Sequence, residues 1–509
     1  MQDHKVIKKS GSSLRRTLAG GLLLTVLANA FLYIGHVVIA RQLSREEYAI
    51  FTVVVSFISL MALFADLGLT LLFVRKFAEA DERSRAGDDE RRGQLLGSML
   101  VLRVGLAILV SAAVFVIAPL LGYPNETQKL MHIMLLTLFI SSRLMVVRSV
   151  GEAFVRGHNK YHFIALFTLI DAAVFASALF FYGGGKTLDL EGAVWIYSLC
   201  HIPGFLLLIW LIGSSAKEIG FRLSIHFGML WGMIREGLPL IFSTAFLTIH
   251  NFADALLLDK LSTPQQVSAY GAGIRILTAV IFLPTVFSAV IGPQVTQAIV
   301  RGNSEHIRTI VDRALRLLLV TALIIGLSLT CASNTIIGLL FGGDKYGDAV
   351  PIVIMFGWTF FPIVFATFLS EIAIAEGKLW ISTLYMCVIM IVSVTMDFVL
   401  IPSLGAFGAA VSKCIAVTVG SVVLLIASRQ MHVIEARRFL IFLLKCCLAL
   451  GVALLAYFGI RSSVELNEIL IVVAVLVVFL GVVMASRAIG WTEVSNFFQR
   501  RTINDQGIG

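Results

Sequence analysis

Residues 18–40 read Leu-Ala-Gly-Gly-Leu-Leu-Leu-Thr-Val-Leu-Ala-Asn-Ala-Phe-Leu-Tyr-Ile-Gly-His-Val-Val-Ile-Ala, 23 residues without one Lys, Arg, Asp or Glu. About 20 apolar residues suffice for a helix to cross the hydrocarbon core of a bilayer. Lys5, Lys8, Lys9, Arg15 and Arg16 precede the run, and Ala28-Asn29-Ala30 has the form of a signal-peptidase site. A cleavage site closes an apolar region, however, and this triplet lies inside one. The stretch is therefore read as an uncleaved first membrane span.

Similar stretches recur along nearly the whole chain. Of its 509 residues 58% are hydrophobic and 14% charged, and the mean hydropathy is +0.93. Soluble domains carry about 25% charged residues, so lipid must solvate much of this chain. Without water for backbone groups, only helices or a closed barrel can span. Barrel strands alternate over about ten residues, whereas these runs are longer and continuous. Fourteen spans are expected near 18–40, 48–74, 94–121, 129–150, 161–182, 192–213, 237–258, 267–299, 314–341, 350–375, 379–401, 407–428, 439–460 and 468–489. The turn between the tenth and eleventh is marked only by Glu376-Gly377-Lys378.

With the N-terminus placed in the cytoplasm, 28 Lys and Arg residues fall on the cytoplasmic side and seven on the other. That asymmetry follows the positive-inside rule and puts both termini in the cytoplasm. It also accounts for the net charge of +9 without nucleic acid. The longest loop, 75–93, nearly cancels its own charge. The segment 216–236 interleaves Phe221, Ile225, Phe227, Met229, Leu230, Trp231 and Ile234 with charges, as an interfacial helix does. Cys200, Cys331, Cys387, Cys414, Cys446 and Cys447 lie in or beside apolar runs, without CxxC or zinc spacing. They read as packing residues, and no metal is expected. Gly183-Gly184-Gly185 precedes no phosphate-loop Lys and reads as an outer turn.

An internal repeat is also visible. Leu43-Ser44-Arg45-Glu46-Glu47-Tyr48 answers to Leu261-Ser262-Thr263-Pro264-Gln265-Gln266. Ala153-Phe154-Val155-Arg156-Gly157 answers to Ala373-Ile374-Ala375-Glu376-Gly377, and Glu191-Gly192-Ala193-Val194 to Phe407-Gly408-Ala409-Ala410. The offsets stay between 216 and 220 residues. Three matches in order point to an all-α polytopic membrane protein of two six-helix pseudo-symmetric halves plus two C-terminal helices. The divisions expected are 1–215, 216–430 and 431–509. Many transporters are built from such repeats.

Several of these segments resemble a known family. Ala40-Arg41-Gln42-Leu43-Ser44-Arg45-Glu46-Glu47-Tyr48 follows the first span, and Asp66-Leu67-Gly68-Leu69 lies in the second. Glu236-Gly237-Leu238-Pro239-Leu240 opens the seventh, with Asp254 and Leu256-Leu257-Leu258 inside it. Leu340-Phe341-Gly342 with Tyr346, Ala375-Glu376-Gly377-Lys378, and Ile401-Pro402 with Gly405 and Gly408 follow. As an ordered set, over roughly residues 15–430, they resemble the Wzx-like polysaccharide flippases of the multidrug/oligosaccharidyl-lipid/polysaccharide exporter superfamily. The resemblance implies a flippase, not an enzyme, in the bacterial cytoplasmic (inner) membrane. Its substrate would be an undecaprenyl-pyrophosphate-linked oligosaccharide, carried to the periplasmic leaflet for O-antigen or exopolysaccharide synthesis. It further implies membrane lipid, a polysaccharide polymerase and a chain-length regulator as partners. No cofactor is expected, and a coupling proton or sodium ion stays open. The Asp-Ala-Phe-Phe signature of the lipid II flippase branch is absent.

A lipid-linked sugar carries an anionic head that hydrocarbon excludes, so charges inside spans are the candidate site. Each costs about 2.5–3.5 kcal/mol by insertion scales. The cations are Arg103, Arg143, Arg148, Arg275 and Lys413, and Arg suits phosphate through its planar fork. The acids, as coupling or gating groups, are Asp66, Asp171, Asp254, Glu371 and Asp397. Bland roles stand beside these. Arg148 and Glu152 at i,i+4 can pair with each other. Arg143 lies about 140° round the helix from Arg148, so it faces elsewhere and is freer to meet substrate. Arg103, Arg275 and Lys413 can snorkel to an interface, and Asp66 can cap a broken helix. Asp254 and His36 occupy equivalent repeat positions, open to a pH-responsive role or a simple hydrogen bond. Two other functions stay open. A cation-coupled multidrug antiporter of the same superfamily should be dominated by buried acids. A membrane polymerase or ligase should carry a long outer loop.

Overall fold

The structure is a computed structural model that describes residues 2–66, 68–70, 72, 73, 76, 89–144, 146–157, 161–183, 188–219, 224–300, 304–429, 435–463 and 468–486. Of the loop expected at 75–93, residues 75 and 77–88 lie outside these, as do Gly184, Gly185 and the C-terminal tail. Lys76 pairs with Glu236 at 2.8 Å.

Among the described residues the chain is helical, with no strand. The helices are α1 (Gln2–Gln42), α2 (Arg45–Asp66), α3 (Asp89–Leu120), α4 (Asn125–Met134), α5 (Thr137–Ile140) and α6 (Arg148–Gly157). Next come α7 (Tyr161–Gly183), α8 (Leu190–Leu199), α9 (Ile202–Ile219), α10 (Phe227–Leu261) and α11 (Pro264–Val300). The rest are α12 (Ser304–Phe341), the single turn α13 (Gly343–Tyr346), α14 (Val350–Ala375), α15 (Leu379–Ser428), α16 (Ala436–Ser463) and α17 (Glu468–Ala485). The burial pattern is that of a protein dissolved in lipid. Phe181, Trp210 and Leu455 are exposed, while Arg103 and Arg148 are fully buried. The chain is a multi-pass helical membrane protein.

Eleven stretches among the described residues are long and apolar enough to cross a membrane, against the fourteen expected. The difference arises at three places. The region 379–428 counts as one 50-residue stretch, yet Gly405 inside it has φ 56° and ψ −133°, outside helical geometry. Ala406 N–H there donates to Gln266 Oε1 (2.9 Å), and a Cβ on Gly405 would stand 2.7 Å from that same oxygen. Only glycine meets both demands. The span expected at 267–299 is α11, whose side chains are described only in its first part. The span expected at 129–150 is not one helix at all. It divides into α4, α5, residues 141–144, 146 and 147, which are not helical, and α6.

The weakly marked turn at 376–378 is present. Gly377 takes φ 75°, and Lys378 N–H donates to Ala373 O at 2.8 Å, closing α14 with a left-handed cap. The segment 216–236 merges with its neighbours: residues to Ile219 complete α9, and Phe227 opens the 35-residue α10.

The chain folds as two compact units, residues 1–275 with 397–406, and residues 276–396 with 407–509. In the first, the ring of Phe175 on α7 sits where a Cβ on Gly35 of α1 would be, so these helices approach closely. In the second, Ser421 Oγ of α15 donates to Pro362 O of α14 at 3.0 Å. Thr335 of α12 binds Glu468 of α17 through its amide and its hydroxyl.

Candidate functional site

The break between α5 and α6 organises the charged interior of the first unit. No Gly or Pro lies in residues 135–147. Ser141 turns the chain by adopting an extended conformation, and its Oγ accepts from Arg143 N–H at 3.2 Å. A serine that binds local backbone competes in this way with the helix. Ser141 Oγ and His201 Nε2 also share a hydrogen bond at 3.2 Å.

Arg148 spans the break. Its Nη1 donates to Ile140 O (3.2 Å), to His201 O (3.3 Å) and to Asp171 Oδ2 (2.5 Å), and its Nε pairs with Glu152 Oε1 (3.1 Å). The i,i+4 partner is thus present, and Asp171 of α7 joins it. Asp171 Oδ1 also accepts from Gly204 N–H at 2.8 Å, satisfying an amide in the first turn of α9. Gly204 is needed there, because a Cβ would stand 2.4 Å from that carboxylate oxygen. One guanidinium between two carboxylates has no positive charge to spare.

Arg103 of α3 makes a second such knot. It pairs with Asp66 at 2.6 Å and donates to the carbonyls of Ala65 and Asp66 (3.1 Å each) and to Thr70 Oγ1 (2.6 Å). Those carbonyls end α2, where a helix leaves acceptors without partners. Asp66 therefore sits at a helix end, as its sequence context suggested.

Arg143 is held differently. Residues 141–144, 146 and 147 are not helical, so no fixed helical angle relates Arg143 to Arg148, and the 140° expectation does not apply. Its guanidinium lies 5.6 Å from the centre of the Tyr197 ring and 6.0 Å from that of Phe175, within range of a cation–π contact. Nη1 is buried and has no hydrogen-bond partner. His36 completes the cradle, 5.6 Å from Phe175 and 5.9 Å from Tyr197. The charges of Arg143 and Arg275 both act on His36. Arg275, half-buried on α11, also faces Tyr48, and its Nε has no hydrogen-bond partner. Two guanidiniums with unmet donors thus act on one buried imidazole. Beside Ser141 and Tyr197 lies a cavity of about 10 Å³, near the lower limit for one water.

The acids Asp254 and Asp397 are brought together around Tyr270. The Tyr270 hydroxyl donates to Asp254 Oδ2, and Asp397 acts electrostatically on the same tyrosine. Both carboxylates are buried. In the second unit Lys413 is buried and Glu371 half-buried, and neither lacks a partner. Among the described residues no group of three His, Cys, Asp or Glu is placed to hold a metal ion.

Sequence reasoning passed over Phe175, Tyr197, His201 and Gly204. Helical spacing held a signal for two of them. Phe175 is four residues after Asp171, and Tyr197 four before His201, so each shares a face with a polar residue that has no business in lipid.

Residues 19–294 match the polysaccharide biosynthesis protein family, and residues 239–399 match the MatE family. No curated protein is similar enough in sequence to match. Among solved structures the chain is similar to the lipid II flippase MurJ in an inward closed conformation, with a TM-score of 0.69 and 16% identity over 90% of this chain and 97% of that one. It is also similar to an inward-facing multidrug resistance MATE family transporter (TM-score 0.66, 16% identity, 79% and 94% covered). A third is a MOP superfamily transporter from Pyrococcus furiosus (TM-score 0.60, 16% identity, 82% and 96% covered). Identities this low carry the fold alone, but the first family match spans more than half of the chain. The chain belongs to the polysaccharide biosynthesis protein family and has the fold of the flippases and transporters of the MOP superfamily.

Proposed function

We propose that the protein is a flippase that moves an undecaprenyl-pyrophosphate-linked oligosaccharide from the cytoplasmic to the periplasmic leaflet by alternating access. The observation that carries this reading is Arg143. It is a half-buried cation set on two aromatic faces at the unwound part of a span, its Nη1 buried without a hydrogen-bond partner and, unlike Arg103 and Arg148, with no carboxylate paired to it among the described residues. A guanidinium of that kind is matched to a phosphate oxygen. Arg275, whose charge also acts on His36, supplies a second positive charge. In this reading Arg143 and Arg275 hold the pyrophosphate. Arg103 and Arg148, with Asp66 and Asp171, keep the helix ends around it in place. Asp254 and Asp397 are the coupling acids for a proton or sodium ion, and Glu371 and Lys413 act in the second half. The division at 216 and 431, and a surface-polysaccharide polymerase with its chain-length regulator as partners, belong to the same proposal.

Translocation of the lipid-linked oligosaccharide in proteoliposomes tests it. Arg143→Ala should cut the rate at least tenfold while the protein stays folded. An unchanged rate would remove Arg143 from the site. A second reading, a cation-coupled multidrug antiporter, is favoured by the MatE match, which contains Asp254 and Asp397. Loss of drug export on Asp254→Asn, with no lipid translocation by the wild type, would select that reading instead.

A further inference from the structure

The second unit carries a cationic pocket that the transport reading does not use. It is lined by Arg316, Arg438, Ile441, Phe442 and Lys445 and holds about 180 Å³. One water needs only about 10–15 Å³, so the space admits a group many times larger. On α16, positions 438, 441, 442 and 445 are spaced i, i+3, i+4, i+7 and share one helix face. Arg316 enters from α12. Its guanidinium lies 5.6 Å from the centre of the Phe442 ring, and Nη2 is 2.8 Å from Asp312. Its Nε is buried without a hydrogen-bond partner. Arg438 contacts Glu435 at 3.0 Å on the exposed rim.

The depth of the pocket narrows its ligand. Arg438 is the second residue of the apolar stretch 437–462, and Lys445 lies two turns further in. By the 1.5 Å rise per residue that interval is about 10 Å, which spans the boundary between headgroups and acyl chains. Of the lining residues Ile441 is exposed, and the Phe442 ring stands beside it. The pocket therefore offers cations at headgroup depth and apolar surface just below, the two halves of a phospholipid. Basic pockets between spans bind anionic headgroups on the same physical grounds.

We infer that this pocket is a binding site for the phosphate of a resident anionic glycerophospholipid, wedged between α12 and α16. The guanidiniums of Arg316 and Arg438 and the ammonium of Lys445 donate to the phosphate, and the acyl chains lie against Ile441 and Phe442. This site does not depend on what the protein transports.

Native mass spectrometry of the full chain, titrated with phosphatidylglycerol, phosphatidylcholine or undecaprenyl pyrophosphate, tests it. The wild type should retain phosphatidylglycerol at least fivefold more than phosphatidylcholine. R316Q/R438Q/K445Q should abolish that preference, and R316K/R438K/K445R should keep it. R438Q changes an exposed side chain and keeps the test readable if the triple variant fails to fold; it should lower the preference at least twofold. Equal retention of both phospholipids by the wild type, or an undiminished preference in R438Q and the triple glutamine variant, overturns the inference. Loss of undecaprenyl pyrophosphate alone in these variants also overturns it, by assigning the pocket to the transported lipid.

Discussion

Three arginines of the first unit, Arg103 and Arg148 fully buried and Arg143 half-buried, do three different things. Arg148 is placed between Asp171 and Glu152, Arg103 closes the end of α2 and pairs with Asp66, and Arg143 rests on Phe175 and Tyr197 with no carboxylate paired to it among the described residues. Removing one partner of a buried ion pair leaves an uncompensated charge and costs about 3–5 kcal/mol. Arg148→Ala and Asp171→Asn should therefore lower thermal stability in detergent strongly, and similarly to each other. Arg143→Ala removes no carboxylate partner and should leave the melting temperature within a few degrees of wild type. A large loss of stability in Arg143→Ala would make it another structural arginine. The charges themselves were legible because charge is rare in such sequence. Their division of labour was not, except for Glu152, one turn from Arg148. Asp171 reaches Arg148 from another helix, a contact that spacing along one helix cannot show.

At the scale of elements, the helices follow from long apolar runs that must satisfy their own backbone. Their interruptions follow from single residues. The turn after α14 was legible at Gly377, whose positive φ caps the helix. The division of α15 was legible in Pro402 and Gly405. The break after Ile140 was not, since only Ser141-Ser142 marks it, and serine interrupts a helix through a local hydrogen bond rather than by backbone geometry. At Gly405 strain and contact can be separated. Gly405→Ala should destabilise by about 1–3 kcal/mol for the backbone conformation alone, plus the clash with Gln266 Oε1. Adding Gln266→Ala should recover only part of the loss in a thermal-unfolding comparison. Full recovery would place the whole cost in the clash, and none would place it in the backbone.

Over the whole molecule, the bias of Lys and Arg predicts which side each loop faces. On that expectation Lys129, exposed and paired with Glu191 at 2.6 Å, would face the periplasm and Arg438 the cytoplasm. In a background without the six native cysteines, Lys129→Cys should react with a membrane-impermeant maleimide in intact cells. Arg438→Cys should react only after permeabilisation. Labelling of both from one side would break the assigned orientation. Family and fold were readable from an ordered set of weak motifs and from hydropathy. The substrate was not, because the first unit presents cations around His36 and acids around Tyr270, and each suits a different cargo. Proteoliposomes holding the wild-type protein distinguish the two most directly. A fluorescent undecaprenyl-pyrophosphate-linked oligosaccharide is loaded in one leaflet and quenched from the other, beside uptake of a cationic drug. The account predicts protein-dependent exchange of the oligosaccharide and no drug uptake; drug uptake without oligosaccharide exchange would contradict it.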